Sequence, residues 1–421
     1  MSAENGWRMI PKAWIGFGLA GHGVLLASLA CLPYLSAQEI MAPTEGPVRL
    51  LPSDAAILES PENRKDLPCT VTPDKPVLGF DLKYHVNFEV TVALKELVGS
   101  ENQLTMVFRV TPENHSDGTY FSQHVQVPAI DRDEGGPAYL YGSFNVGEGK
   151  YHVDWLMRDR AERMCSFHWD SEASLPLKDK QMTLEIPTGA VQALDPEVFK
   201  QEPPIQREQK PAPLNVKVMM NFAPQDANGS ALQPLDTRAL LSMLRSIARE
   251  PRIAKFSVVA YNMQQQKVIY RQEDAPQIDF PALGQAVKAL RLGTVDLKHL
   301  VQKHSDTDFL TQLMTNEIKD PKDGLDALIF AGPKVMLDDG VPVETLKQFS
   351  DVKYPVFYMN YNANPQLNPW RDAIGSAVRV LKGVEFTITR PRDLFFAWTE
   401  IIGRIVKSKV GRAATAEVAL H

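Results

Sequence analysis

Gly16-Phe17-Gly18-Leu19-Ala20-Gly21 spells G-x-G-x-x-G, the spacing that cradles a dinucleotide pyrophosphate. The motif works only between a strand and a helix, where backbone N–H groups converge on the anion. Here it lies inside an apolar run with no strand ahead, so it carries no nucleotide chemistry. No G-x-S-x-G nucleophile elbow, H-E-x-x-H zinc helix, C-x-x-C pair or G-x-x-x-x-G-K-[ST] phosphate loop follows it. His299 and His304 stand five apart and cannot share a helical face as i, i+4 ligands would, so they read as solvated. His152 and His168 fall on expected strands as partly buried polar positions. Glu273-Asp274 and Asp338-Asp339 are adjacent in expected turns, with nothing to raise a pKa. The expectation is a chain that is not an enzyme and has no cofactor.

Recognition is a better match to the residues at hand. Asn360, Tyr361, Asn362, Asn364, Asn368 and Trp370 crowd one polar and aromatic stretch, combining hydrogen bonding with rigid contact area. Pro365 and Pro369 would equally suit a plain turn. Asp226, Asp338 and Asp339 fall in loops after strand ends, the edge at which open α/β sheets bind ligands. They read as surface aspartates that mark the first place to look for a partner.

Export comes from the first forty residues. Arg8 and Lys12 precede an apolar run from about Trp14 to Leu35, and Ala37 offers a small residue before Gln38. A positive start, apolar middle and small-residue exit are the parts of a secretory signal peptide, here residues 1–37 cleaved between Ala37 and Gln38. An uncleaved anchor is the alternative, although four glycines, His22 and Pro33 interrupt it. Lipidation at Cys31, after Ser28-Leu29-Ala30, is a third. Membrane attachment is expected only through such an uncleaved or lipidated segment. The location expected is secreted or periplasmic, in the cell envelope.

Removing residues 1–37 moves the formal charge from −6 to −7. A mildly acidic chain has no electrostatic basis for sequence-independent nucleic-acid binding. Arg404, Lys407, Lys409 and Arg412 make a basic tail that reads as a solvated end. Cys69 and Cys165 then remain, and an oxidising compartment favours one disulfide between them over two isolated thiols.

Residues 38–65 carry Pro43, Pro47, Pro52 and Pro61 without periodicity and read as an extended mature N-terminus. Within 66–190, Tyr84–Val92, Leu104–Val110 and Tyr151–Met157 alternate as half-buried strands should, with turn residues between them. That pattern predicts a β-sandwich. Residues 191–213 contain QEPPIQREQKPAP, a stiff and exposed linker with no means of packing a core. Residues 214–406 alternate apolar strands with helices, which predicts a parallel sheet covered on both faces. Residues 407–421 read as a flexible tail.

Two resemblances follow. Gly147 to Trp155 resembles the late hairpin of immunoglobulin-like domains. The strand and helix order over about 214–406 resembles the von Willebrand factor type A domain, and the whole chain is similar to secreted proteins with such a domain found in some soil bacteria. The fold class expected is an immunoglobulin-like sandwich followed by a doubly wound, Rossmann-type α/β domain. The family holds Mg²⁺ with an Asp-x-Ser-x-Ser turn after the first strand, a Thr from a later loop and an Asp after the fourth strand, oxygen ligands that suit a hard cation. Here the first position is Asn221 in Asn221-Phe222-Ala223-Pro224-Gln225, the threonine is Thr294 after Gly293, and the last is Gly332 in Ala331-Gly332-Pro333. The resemblance implies a degenerate site with no metal. The reading is an extracytoplasmic binding or assembly protein with protein partners, self-association included. The alternatives are a secreted hydrolase of envelope polymers and a structural subunit of a surface assembly.

Overall fold

Alternation along the chain builds the first layers. In β4 (Tyr84–Ala93), Tyr84, Val86, Phe88, Val90 and Val92 are buried while the intervening side chains face outward. β5 (Asn102–Pro112), β6 (Thr119–Val127), β8 (Gly149–Arg158) and β9 (Met164–Ala173) form one antiparallel sheet in the order β1-β6-β5-β8-β9, with β1 (Glu39–Met41) at its edge. The second sheet runs β10-β7-β4-β2, from β10 (Val191–Gln192), β7 (Pro137–Val146), β4 and β2 (Cys69–Pro73), and β3 (Val77–Leu78) also pairs with β4. The inner faces meet on aromatic side chains: Phe108 stacks on Phe121 at 5.1 Å, and Phe88 stands edge-on to Phe108 at 5.5 Å. The antiparallel, sandwich-like half expected from the sequence is present.

A disulfide joins Cys69 on β2 to Cys165 on β9, tying one sheet to the other, with Cα atoms 6.2 Å apart. The structure, a computed structural model, describes residues 39–41, 50–195, 197–208, 213–226, 229–292, 304–318, 324–349 and 352–418. The export segment with Cys31, Ala37 and Gln38, and also Gly293, Thr294 and His299, lie outside them. Among the described residues no helix is long and apolar enough to cross a membrane.

The second half is a six-stranded sheet in the order β13-β12-β11-β14-β15-β16. Its strands are β11 (Leu214–Asn221), β12 (Ile253–Asn262), β13 (Lys267–Ala275), β14 (Ala327–Pro333), β15 (Val356–Tyr361) and β16 (Val384–Ile388). All neighbours are parallel except β13, which returns antiparallel along β12, so the sheet is mixed. One face packs against α2 (Pro234–Ala248), α3 (Phe280–Lys288) and α7 (Pro391–Val418). The other packs against α4 (Ser305–Ile318), α5 (Val343–Lys347) and α6 (Ala373–Val380). With apolar cover on both faces, β14 and β15 are buried at every position, as their continuous apolar runs require.

Three segments read as loose are packed. In the N-terminal stretch, β1 pairs with β6, and α1 (Pro52–Leu58) lays Leu58 against Val107 and Leu156. The Pro-rich linker is a strap. Phe199 is buried so closely against α3 that a Cβ on Gly284 would sit 2.6 Å from it. Glu202 is buried between Arg245 at 2.8 Å and Arg249 at 2.6 Å, and Arg207 lies 5.0 Å over the Phe256 ring. The tail continues α7 as helix as far as Val418, and the buried Asp326 holds Lys409 (2.7 Å) and Arg412 (2.8 Å). The halves also exchange aromatics. Phe80 enters the α/β core, and Phe395 and Phe396 of α7 pack on the sandwich core, beside an Arg392–Asp179 pair at 3.0 Å.

Candidate functional site

The chain leaves β11 toward one side of the sheet and β14 toward the other, so their carboxyl ends frame the crevice where open α/β sheets bind ligands. Across that edge, Tyr261 is level with Asn221, Gly332 with Asn360, and Asn360 with Thr387. Gly332 closes the row: a Cβ there would meet the Cβ and carbonyl oxygen of Asn221, each at 2.8 Å, and its φ of +139° suits glycine alone. Asn221 is buried, its Oδ1 accepting the Met263 N–H at 3.3 Å. Asn360 is also buried, its Nδ2 donating to Glu385 Oε1 at 2.7 Å. Asn221 Nδ2, Asn360 Oδ1 and the Tyr261 hydroxyl meet no partner among the described residues.

This donor set does not fit a divalent cation. A neutral amide already engaged with backbone stands at Asn221, and no side chain is present at Gly332. Among the described residues no group of three or more His, Cys, Asp or Glu could hold a metal.

Two buried carboxylates organise the layer beneath. Asp236 lies inside the first turn of α2, after an N-cap at Gln233. Its Oδ1 accepts from the Tyr361 hydroxyl at 3.1 Å and from Gln225 Nε2 at 3.0 Å. Gln225 Oε1 in turn takes the Ala363 N–H at 2.8 Å, tying the loop after β11 to the loop after β15. Burial and the charge of Asp236 push the Tyr361 hydroxyl pKa upward. Asp372 caps α6 through Gly375 N–H at 2.8 Å, and also accepts from Val335 N–H at 2.8 Å and the Tyr358 hydroxyl at 2.9 Å. Burial still holds its carboxyl above the usual carboxylate range against those donors.

In the loop after β15, the residues of the expected recognition stretch divide between buried and exposed positions. Asn360, Tyr361 and Asn362 are buried, so their side chains hold the loop from within. Asn362 Nδ2 donates to Asn368 O at 3.2 Å and its Oδ1 accepts Asn364 N–H at 3.2 Å. Lys334 Nζ reaches in from the end of β14 to Asn368 O at 2.7 Å and Trp370 O at 2.5 Å. Asn360, Tyr361 and Asn362 turn inward, whereas Asn364, Leu367 (80% exposed) and Trp370 (67% exposed) turn out. Leu367 and Lys334 were not among the residues the sequence singled out.

Among the described residues, the three loop aspartates form no cluster that could hold a metal. Asp226 is exposed after β11 and Asp338 after β14. Asp339 pairs with His304 at 2.7 Å, and its carbonyl takes the Thr307 hydroxyl at 2.7 Å, which fixes that loop to α4. On the sandwich, His152 pairs with Asp170 at 2.7 Å and Asp154 at 3.2 Å, with the His168 ring 6.2 Å away.

Beside the loop, Arg371, Gly375, Val378 and Arg379 of the α6 region and Gly383 and Glu385 of the β16 region line an open cleft of about 360 Å³. Glu385 lies at its wall, 3.3 Å from Arg371 Nε. A Cβ on Gly375 would stand 2.7 Å from Glu385 Oε2, so the glycine admits the carboxylate.

No family model matches the chain, and no curated protein matches it. Among solved structures, a β-glucuronidase of Bacteroides uniformis is similar at 9% identity over 72% of this chain and 34% of that one, with a TM-score of 0.18. A glycosyl hydrolase family 2 member of Bacteroides cellulosilyticus gives 10% identity over 76% and 38%, with a TM-score of 0.18. The chain therefore spans little more than a third of the length of these structures, and likeness of this degree carries no argument.

Proposed function

We propose that this chain is an extracytoplasmic, non-catalytic binding and assembly protein. Its immunoglobulin-like sandwich supports a degenerate von Willebrand A-like domain that meets a protein partner at the carboxyl edge of its sheet. One observation carries the reading. The loop from Asn362 to Trp370 is fixed by Asn362, Lys334 and Gln225, and it presents Leu367 and Trp370 to solvent. A loop immobilised in advance loses little entropy on docking, and exposed tryptophan is the residue type most enriched at binding hot spots.

The strand order, with a switch point between β11 and β14 and one antiparallel edge, supports the A-like reading. The Cys69–Cys165 bridge supports a place outside the cytoplasm, where such bonds persist. Size-exclusion chromatography with cross-linking in the native envelope fraction tests the role. A complex larger than the chain alone is expected. A persistent solitary monomer refutes it.

A further inference from the structure

The cleft beside β16 holds an unequal set of charges. Glu385 is engaged by Arg371 and by Asn360 Nδ2, whereas the exposed Arg379 guanidinium meets no carboxylate among the described residues. The cleft thus carries a surplus positive charge on a chain whose formal charge is −6. An unpaired guanidinium offers the fork of donors that suits a carboxylate.

β16 is also the last strand of its sheet, with no strand beyond it among the described residues. Ile388 turns its carbonyl inward, accepting Asn362 N–H at 3.0 Å. By the alternation of a strand, Thr387 and Glu385 turn their backbone groups outward, away from β15. An edge of this kind is a template for another extended chain.

We infer that the β16 edge and the adjoining cleft bind an extended acidic peptide of the partner. Its backbone would add a strand beside Glu385 and Thr387, and one of its carboxylates would pair with Arg379. This deepens the binding role proposed above and rests on it. The two features explain each other: the edge supplies backbone hydrogen bonds without regard to sequence, and the cleft supplies the preference for acid.

The test uses the full chain and a short fluorescein-labelled peptide of alternating valine and glutamate, read by fluorescence anisotropy. Saturable binding is expected, with no binding of the valine–lysine counterpart. Arg379→Glu, a surface change, should weaken it by about tenfold or more, the scale of a lost charge-assisted hydrogen bond. Thr387→Pro should weaken it through the missing edge N–H while leaving the β15 ladder intact, with circular dichroism confirming that both variants fold. Absence of binding, equal binding by Arg379→Glu, or equal displacement by free glutamate overturns the inference. Envelope capture that depends on Leu367 and Trp370 while the peptide fails to bind would sink this inference alone; loss of both would sink the binding role as well.

Discussion

The ring of Phe80, carried by the sandwich, stands edge-on to that of Tyr361 at the end of β15, with centroids 5.8 Å apart and planes at 87°. The same tyrosine donates its hydroxyl to Asp236. One side chain thus joins the sandwich to the α/β core and the end of β15 to α2.

That relationship predicts shared unfolding. Phe80→Ala removes a buried ring and leaves a cavity, at a cost of about 3–5 kcal/mol. Calorimetry should show one transition for the wild type. The variant should melt at lower temperature, with the two halves beginning to separate. An unchanged melting temperature would mean that the ring bears no load between them.

Gly332 predicts a steric limit at the switch point. Alanine there places a Cβ 2.8 Å from Asn221 and forces a left-handed backbone on a residue that resists it. The expected loss is about 1–3 kcal/mol by urea titration, and Gly332→Asp should lose at least as much without gaining magnesium affinity by calorimetry. A variant as stable as wild type would refute the close approach.

Asp372 predicts a pH dependence. Its folded pKa is raised by burial, so between the ordinary carboxylate value and that raised value the folded state binds more protons than the unfolded. Stability from this group is therefore greatest below the unfolded pKa and falls as pH rises through the folded one. Asp372→Asn cannot titrate and turns a donor toward Val335 N–H, so it should be less stable at every pH. Urea midpoints across pH 4 to 8 should show the gap to wild type narrowing as pH rises. A widening gap would reverse the assignment.

The disulfide predicts a redox-dependent sandwich. Reduction frees two cysteines 96 residues apart, which in the chain-entropy model costs about 4–5 kcal/mol. Denaturant midpoints should drop with a thiol reductant for wild type and be insensitive to it for the Cys69→Ala, Cys165→Ala double variant. Equal response of both chains would contradict the bridge.

Local pattern was legible in the sequence, and distant partnership, the disulfide apart, was not. Alternation from Tyr84 to Val92 and the apolar runs of β14 and β15 mark strands because their burial repeats along the chain itself. The pairing of Cys69 with Cys165 was readable because few thiols compete. Phe80 and Phe199 stand in polar, Pro-rich surroundings, and the cores that bury them come from far along the chain. Lys409 and Arg412 read as a solvated tail because Asp326, which holds them, lies more than 80 residues earlier. In the loop after β15, residue types marked a polar and aromatic stretch. They could not say which side chains turn inward, because that depends on Lys334 and Gln225 arriving from other strand ends.

The most direct test of the binding role is capture from the native envelope fraction by the immobilised chain and by its Leu367→Ala, Trp370→Ala variant, compared by quantitative mass spectrometry. Both side chains are exposed, so the variant should fold as wild type does. The account predicts a partner retained by the wild type and lost from the variant. Identical retention by the two would contradict it.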